Sequence, residues 1–374
     1  MLPCQRHLFE IDRDTAYFDC AKMSPLLRAA ADAGASGLRR KLRPWEITSA
    51  HFFADVEAMR DSYARLLGTS ADRVALVPAV SYGVAVAAAN LRVLRGQRIV
   101  LLAADFPSVA LTAMDLARRK GAEIVTVERN PAAGWTPALL DAIAPDTALV
   151  FSPQVHWADG GLVDLVAVAG RCRDVGAALV LDTTQSLGAL PLDLEAIDPD
   201  FMVAAGYKWL LGPYSLGLLY VAPRHHDARP IEQGWSAREG AHDFRRLVPY
   251  REDWTAGARR FDMGERANFA LLPAARVATD QLAAWTPAAT SATLGTATAR
   301  LAARLEPLGI HDPDGATRAP HFLSVVRADG WPEDIGERLA AAGVHVSLRG
   351  ERMRITPHLY NDEEDEDRLV AALG

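Results

Sequence analysis

Two apolar runs in this chain end in ionisable side chains of opposite sign. Val180-Leu-Asp-Thr-Thr-Gln-Ser-Leu-Gly188 reaches Asp182 at the end of one run. Phe201-Met-Val-Ala-Ala-Gly-Tyr-Lys-Trp-Leu-Leu-Gly-Pro213 reaches Lys208 just past the other. Open α/β sheets build their sites at the carboxyl ends of strands, so an acid and an amine are expected at one edge. An apolar setting disfavours the ammonium form, and a neutral amine can condense with an aldehyde and carry a proton. Lysine occurs only at positions 22, 41, 120 and 208, so arginine supplies the rest of the 40 basic residues. Arginine does not deprotonate in proteins, so a lysine kept in an apolar segment here points to chemistry that needs a free amine. The structural alternatives are a Lys208 that snorkels at a strand end and an Asp182 that caps a helix or sits in a loop.

Other groups have the types and positions for supporting roles. Ser81-Tyr82-Gly83 follows an apolar run at 74–77 and opens a helical segment. Free N–H groups and the helix dipole favour an anion there, although Ser81 is equally an ordinary N-cap. His156-Trp157 lies in Ser152-Pro-Gln-Val-His-Trp-Ala-Asp-Gly160, at another strand end. His156 reads as a substrate-side acid/base or, equally, as a structural histidine. Arg349 and Arg354 carry guanidinium forks suited to carboxylates. Cys4, Cys20 and Cys172 are far apart without CxxC spacing, which argues against a disulfide framework or a metal site and for a reducing compartment.

The elements that must position these groups alternate. Near-continuous apolar runs at 98–104, 122–128, 148–152, 178–182, 201–205 and 216–221 suit strands buried on both faces of a mostly parallel sheet. Helical segments at 108–120, 137–144 and 163–175 separate several of them, which implies an α/β domain. Upstream, Ser24-Pro25 predicts a helix start running to about Leu42, and 52–67 predicts a second helix stopped by Gly68. Beyond about Arg259 the pattern becomes α+β. Helices are predicted at 271–285 and 291–305, strands at 322–326, 344–348 and 353–356, and a final acidic helix at 362–373. The domains therefore read as an N-terminal segment 1–16, a large domain 17–258 and a small domain 259–374, with 233–260 as an irregular connector. The net charge of −7 over 374 residues, without a basic run, argues against nucleic acid. The first residues lack a secretory apolar core, and no apolar stretch reaches the ~18 residues of a membrane span. A cytoplasmic location is expected.

The paired Asp…Gln and Tyr-Lys-Trp segments resemble the class V branch of the fold-type I pyridoxal-phosphate (PLP) enzymes, which contains cysteine desulfurases, kynureninases and isopenicillin-epimerase-like proteins. The resemblance runs from Tyr17-Phe-Asp-Cys-Ala to Met353-Arg-Ile-Thr-Pro-His-Leu-Tyr-Asn361. It implies a large domain with a seven-stranded sheet and a smaller C-terminal domain, PLP held as a Schiff base on Lys208, and a homodimer with shared sites. Asp182 would pair with the pyridine nitrogen and Gln185 with the ring oxygen. Ser81 and Tyr82 would lie at the phosphate. Two positions depart from the desulfurase pattern toward kynureninases: Phe106 would stack on the ring where desulfurases use histidine, and Tyr207 would supply a phosphate contact. Arg354, with Arg349 as competitor, would bind the substrate carboxylate. Asn268 would reach the partner's phosphate. No cysteine follows position 172, so a self-persulfidating desulfurase is disfavoured. A lyase acting at Cα/Cβ of an amino acid is the expected activity, with aminotransfer or epimerisation as alternatives and a non-catalytic scaffold as a distant one.

Overall fold

The computed structural model describes residues 1–248 and 250–374. The strand-length apolar runs form a single sheet. Its strands are β1 (Val74–Val77), β2 (Arg98–Leu102), β3 (Glu123–Val127), β4 (Thr147–Pro153), β5 (Ala178–Asp182), β6 (Phe201–Ala205) and β7 (Gly217–Val221). Their spatial order is β1-β7-β6-β5-β4-β2-β3. β7 runs antiparallel to β1 and β6, and every other pairing is parallel. All residues of β4 and β6 are buried. Covering both faces is what makes such strands read as unbroken apolar runs. The edge strand β3 is largely uncovered, and it carries Glu123 and Thr126 outward.

The helices that matter for the site are α1 (Arg28–Arg39), α2 (His51–Leu67), α3 (Val80–Asn90), α4 (Pro107–Lys120), α5 (Trp135–Ala142) and α6 (Leu165–Val175). Gly68 ends α2 in the left-handed region at φ 63°, as its position predicts. The shared direction of β1, β2, β4, β5 and β6 puts their carboxyl ends, and the start of α3, along one edge. No helix among the described residues is long and apolar enough to cross a membrane.

Two expectations need correction. Ser24-Pro25 does not open a helix. α1 starts at Arg28 after an extended Leu27, because the Ser24 N–H is drawn to the Tyr207 carbonyl at 3.0 Å. The predicted strand 344–348 changes partners midway. Val344–His345 pairs with Ala16–Tyr17, whereas Ser347–Arg349 joins Arg352–Ile355, Leu323–Arg327 and Ile310–His311 in a four-stranded sheet. Residues on both sides of the expected boundary at 259 contribute to the large core. Phe261 packs in the core under the main sheet, and the helix Leu271–Trp285 packs on α1 and α2. The small domain's own core instead takes Ala16 and Phe18 from the N-terminus, with Leu301, Leu305, Val325, Met353 and Leu369. Composition marks the change of style after the large domain; the seam between the two cores is not legible from it.

A buried ion cluster locks this region to β1. Asp262 accepts from Arg60 at 3.0 and 2.7 Å and from the Leu76 N–H at 2.8 Å, and it pairs with Arg266. Burial works against the Asp262 carboxylate, but Arg60 and Arg266 outweigh it and hold its pKa below the ordinary value. Asp262→Asn removes the shared carboxylate of two buried guanidiniums, of which Arg60 keeps only its Glu57 pair, and is expected to cost about 3–5 kcal/mol in urea unfolding at pH 7. A depressed carboxyl pKa stabilises above the unfolded value of about 3.9 and loses that contribution as pH falls. The gap between wild type and variant should therefore narrow toward pH 3. A constant gap would show that charge is not its origin.

Candidate active site

β6 ends in a sharp turn at Gly206. Its N–H donates to the Leu216 carbonyl at 2.9 Å, and a Cβ there would lie 2.4 Å from the same oxygen. Only glycine allows this approach. The turn delivers Tyr207 and Lys208 into a cleft at the carboxyl edge of the sheet. The Lys208 amine lies 5.5 Å from the Phe106 ring centre and 5.7 Å from that of Tyr207. Burial lowers its pKa to about 8. Asp182 and Cys20 oppose the shift, and the Arg354 and Arg349 cations add to it.

β5 brings the acid to the same cleft, whose wall includes Asp182, Thr184 and Gln185. Burial raises the Asp182 pKa against hydrogen bonds from Thr184 and the attraction of Lys208. The Thr184 N–H donates to Asp182 Oδ1 at 3.0 Å, while Thr184 Oγ1 accepts from the Ala205 N–H at 3.0 Å. Thr184 thus ties the acid strand to the lysine strand. The Gln185 amide is oriented from both ends. Its Oε1 accepts from Trp209 Nε1 at 2.9 Å and its Nε2 donates to the Ala21 carbonyl at 3.0 Å. One amide N–H is left over.

The start of α3 meets the cleft through Val80. Ser81 and Tyr82 occupy its first turn, and Gly83 lets the helix lie against β6, where a Cβ would come within 2.7 Å of Val203 Cγ2. From β2 come Asp105 and Phe106. Nothing in the sequence analysis singles out Asp105. Burial pushes its pKa up to about 7. Its Oδ1 accepts from the Phe106 N–H at 2.6 Å, and its Oδ2 is buried without a partner. The signal available was an acid directly after an apolar strand.

Arg354 is 1% exposed. Its Nε and Nη2 donate to Ser347 Oγ at 2.9 and 2.6 Å, and Nη1 donates to the Trp157 carbonyl at 2.8 Å. Two N–H groups of the fork remain uncommitted. Burial lowers its pKa to about 10, with Arg349 adding to the shift and Asp19 opposing it. Arg349 is half-buried and donates to its neighbouring Leu348 carbonyl. Both guanidiniums stand 5.9 Å from the Trp157 ring centre.

Two expected roles are not supported by the geometry. His156 is not a cleft residue, because both ring nitrogens are engaged. Nδ1 pairs with Asp159 at 3.0 Å and Nε2 donates to the Ala103 carbonyl at 3.1 Å, leaving no nitrogen for a substrate. Asn268 lies in a separate surface hollow beside α1 and α2. Its Oδ1 accepts from the N–H groups of Ala270 and Leu271, so it caps the helix Leu271–Trp285. Gln154 points away from the cleft that its neighbours Pro153 and Val155 line, and it donates to the Pro191 carbonyl.

The aminotransferase class-V family profile matches residues 42–363. This chain belongs to the aminotransferase class-V family. It is 30% identical over 223 residues to an uncharacterised aminotransferase of Bacillus subtilis, covering 59% of this chain and 56% of that protein. It is 33% identical over 204 residues to a kynureninase of Deinococcus radiodurans, covering 54% and 47%. The chain spans about half the length of the curated relatives it matches. A solved cystine C–S lyase in complex with its product cysteine persulfide shares the fold, with a TM-score of 0.83, 20% identity and coverage of 96% and 97%. The class-V chain described here is accordingly a PLP-dependent enzyme, and its cofactor is pyridoxal 5′-phosphate.

Proposed function

We propose that this class-V enzyme cleaves a bond at Cβ of an amino-acid substrate, as a C–S or C–C lyase, with PLP linked to Lys208. The observation that carries the reading is one cleft holding a buried amine with a pKa near 8, an acid on the next strand and an aromatic ring 5.5 Å from the amine. This donor set fits the cofactor. When bound, PLP supplies the aldehyde that condenses with the amine and an electron sink for charge developing at Cα. Lys208 holds the cofactor and moves the proton at Cα. Asp182 accepts from the ring nitrogen and keeps it cationic. Phe106 would face the cofactor ring, and the remaining Gln185 N–H would be available to its ring oxygen. The first-turn N–H of Ser81 and the Tyr207 phenol would hold the phosphate, with Tyr82 beside them. Arg354 takes the carboxylate with its two free N–H groups.

The Phe106 and Tyr207 pair and the kynureninase relative favour a lyase. The C-terminal half of this sequence offers no cysteine as a persulfide-forming nucleophile. Aminotransfer is the second reading, favoured by the Bacillus subtilis relative. A homodimer is part of the proposal.

The reaction is tested by incubating the holoenzyme with a panel of amino acids. Carbonyl product with ammonia supports elimination, and a cleaved side-chain fragment supports C–C cleavage. Accumulated pyridoxamine form would replace the lyase reading with aminotransfer, and D-product would replace it with epimerisation. A protein that stays colourless with PLP would be a scaffold. A related prediction concerns capture of PLP by the apoprotein, which needs the neutral amine. Its rate is expected to fall about tenfold per pH unit below about pH 8. Stopped-flow absorbance with a flat profile from pH 6 to 8 would refute the lowered pKa.

A further inference from the structure

We infer that Trp157 is a positioning residue that couples the carboxylate-binding arm to the turn carrying the ring-stacking side chain. This rests on the reading of Arg354 and Phe106 given above. The turn Ala103–Phe106 follows β2 and is strained. Ala104 adopts φ 52°, a left-handed conformation disfavoured by its Cβ. The segment after β4 pins the turn at two consecutive carbonyls. His156 Nε2 donates to the Ala103 carbonyl at 3.1 Å, and Trp157 Nε1 donates to the Ala104 carbonyl at 2.7 Å. The indole also meets the Phe106 ring edge-on, with centres 5.9 Å apart at 84°.

The other end of Trp157 faces the small domain. Its own carbonyl accepts from Arg354 Nη1 at 2.8 Å, and the Arg354 and Arg349 guanidiniums both stand 5.9 Å from its ring centre. One residue therefore touches the arginine arm through its backbone and its ring, and the Phe106 turn through its ring nitrogen. His156 is held upright by Asp159, itself fixed by the Gly161 N–H at 2.8 Å, so the brace has a rigid base. A carboxylate that draws on the Arg354 fork pulls on the Trp157 carbonyl, and the indole passes that shift to the turn bearing Phe106 and Asp105. Ring stacking and carboxylate binding are then linked, as expected of two sites that bias one shared element.

The test uses PLP-loaded enzyme and two probes that both condense with the cofactor aldehyde. Aminooxyacetate carries a carboxylate and methoxyamine does not. Wild type is expected to prefer aminooxyacetate by about tenfold or more, the worth of a charged hydrogen bond. Arg354→Gln should erase the preference; if it does not, the carboxylate reading of Arg354 fails, and the coupling fails with it. Trp157→Phe keeps an aromatic ring but removes the indole N–H together with the bulk of the fused ring. It is expected to cut the preference at least about fivefold, the worth of the lost neutral hydrogen bond, to weaken the visible circular dichroism of bound PLP, and to leave the methoxyamine rate within about twofold. Ala104→Gly in the Trp157→Phe background removes the strain that the indole N–H restrains, and should restore the dichroism. The inference is overturned if Trp157→Phe matches wild type in both dichroism and preference, or if both fall and Ala104→Gly recovers neither.

Discussion

Lys208→Met is expected to abolish turnover while making the cofactor-free protein more stable at neutral pH. The methionine side chain is similar in length but carries no amine to condense with PLP or to move the proton at Cα. Loss of proton transfer alone removes about 10²–10⁴-fold in rate, and loss of the covalent anchor adds to it. Borohydride should then fix no PLP on the protein. The stability gain follows from the lowered amine pKa of about 8. Below that value the amine is charged in both folded and unfolded chains, and the folded state carries the full cost of burying it. Between about 8 and the unfolded value near 10.4, the unfolded chain binds more protons, so stability rises with pH. The variant should therefore lead by roughly 1–3 kcal/mol at pH 7, with the lead shrinking toward pH 10. Chemical denaturation of the two apoproteins at both pH values checks this. A variant that is less stable at pH 7 would mean that Lys208 contributes packing rather than poised charge.

That trade explains why the site was readable. Residues under opposing demands leave marks in composition, and Lys208 stands out as a lysine in an apolar run of a chain that otherwise uses arginine. Strands β5 and β6 were placed to the residue because both-face burial demands an unbroken apolar run. What was not legible depends on contacts between distant segments. Nothing local marks His156 as a brace, since its partners are a nearby acid and a carbonyl more than fifty positions away. Asn268 looks the same in sequence whether it caps a helix or reaches a phosphate. The domain seam is not legible locally, because the helix Leu271–Trp285 has an apolar face but no label saying which core it joins. Ser24-Pro25 carries a sound helix-start signal that is overridden by a tertiary hydrogen bond to the lysine turn.

The acid gives the second large effect. Asp182→Asn keeps the shape and the Thr184 contact but cannot hold a cationic ring nitrogen. The expected loss is about 10²–10³-fold, the scale of removing one preorganised electrostatic contact. It should fall on kcat more than on KM, because charge at Cα develops only on the way to the transition state. Lys208 is untouched, so borohydride should still fix PLP on the variant, which separates this defect from that of Lys208→Met. Stability provides an independent readout. Burial raises the Asp182 pKa, so ionising it opposes folding as pH rises through the folded value, and the neutral amide escapes that cost. Saturating PLP should reverse the order, because a ligand adds stability in proportion to the logarithm of its affinity and the wild-type carboxylate gains a cationic partner. Thermal unfolding should therefore rank the variant at or above wild type without PLP and below it with PLP. Equal shifts on adding PLP would mean that Asp182 does not face the ring nitrogen, and the orientation of the cofactor proposed for this cleft would have to be abandoned.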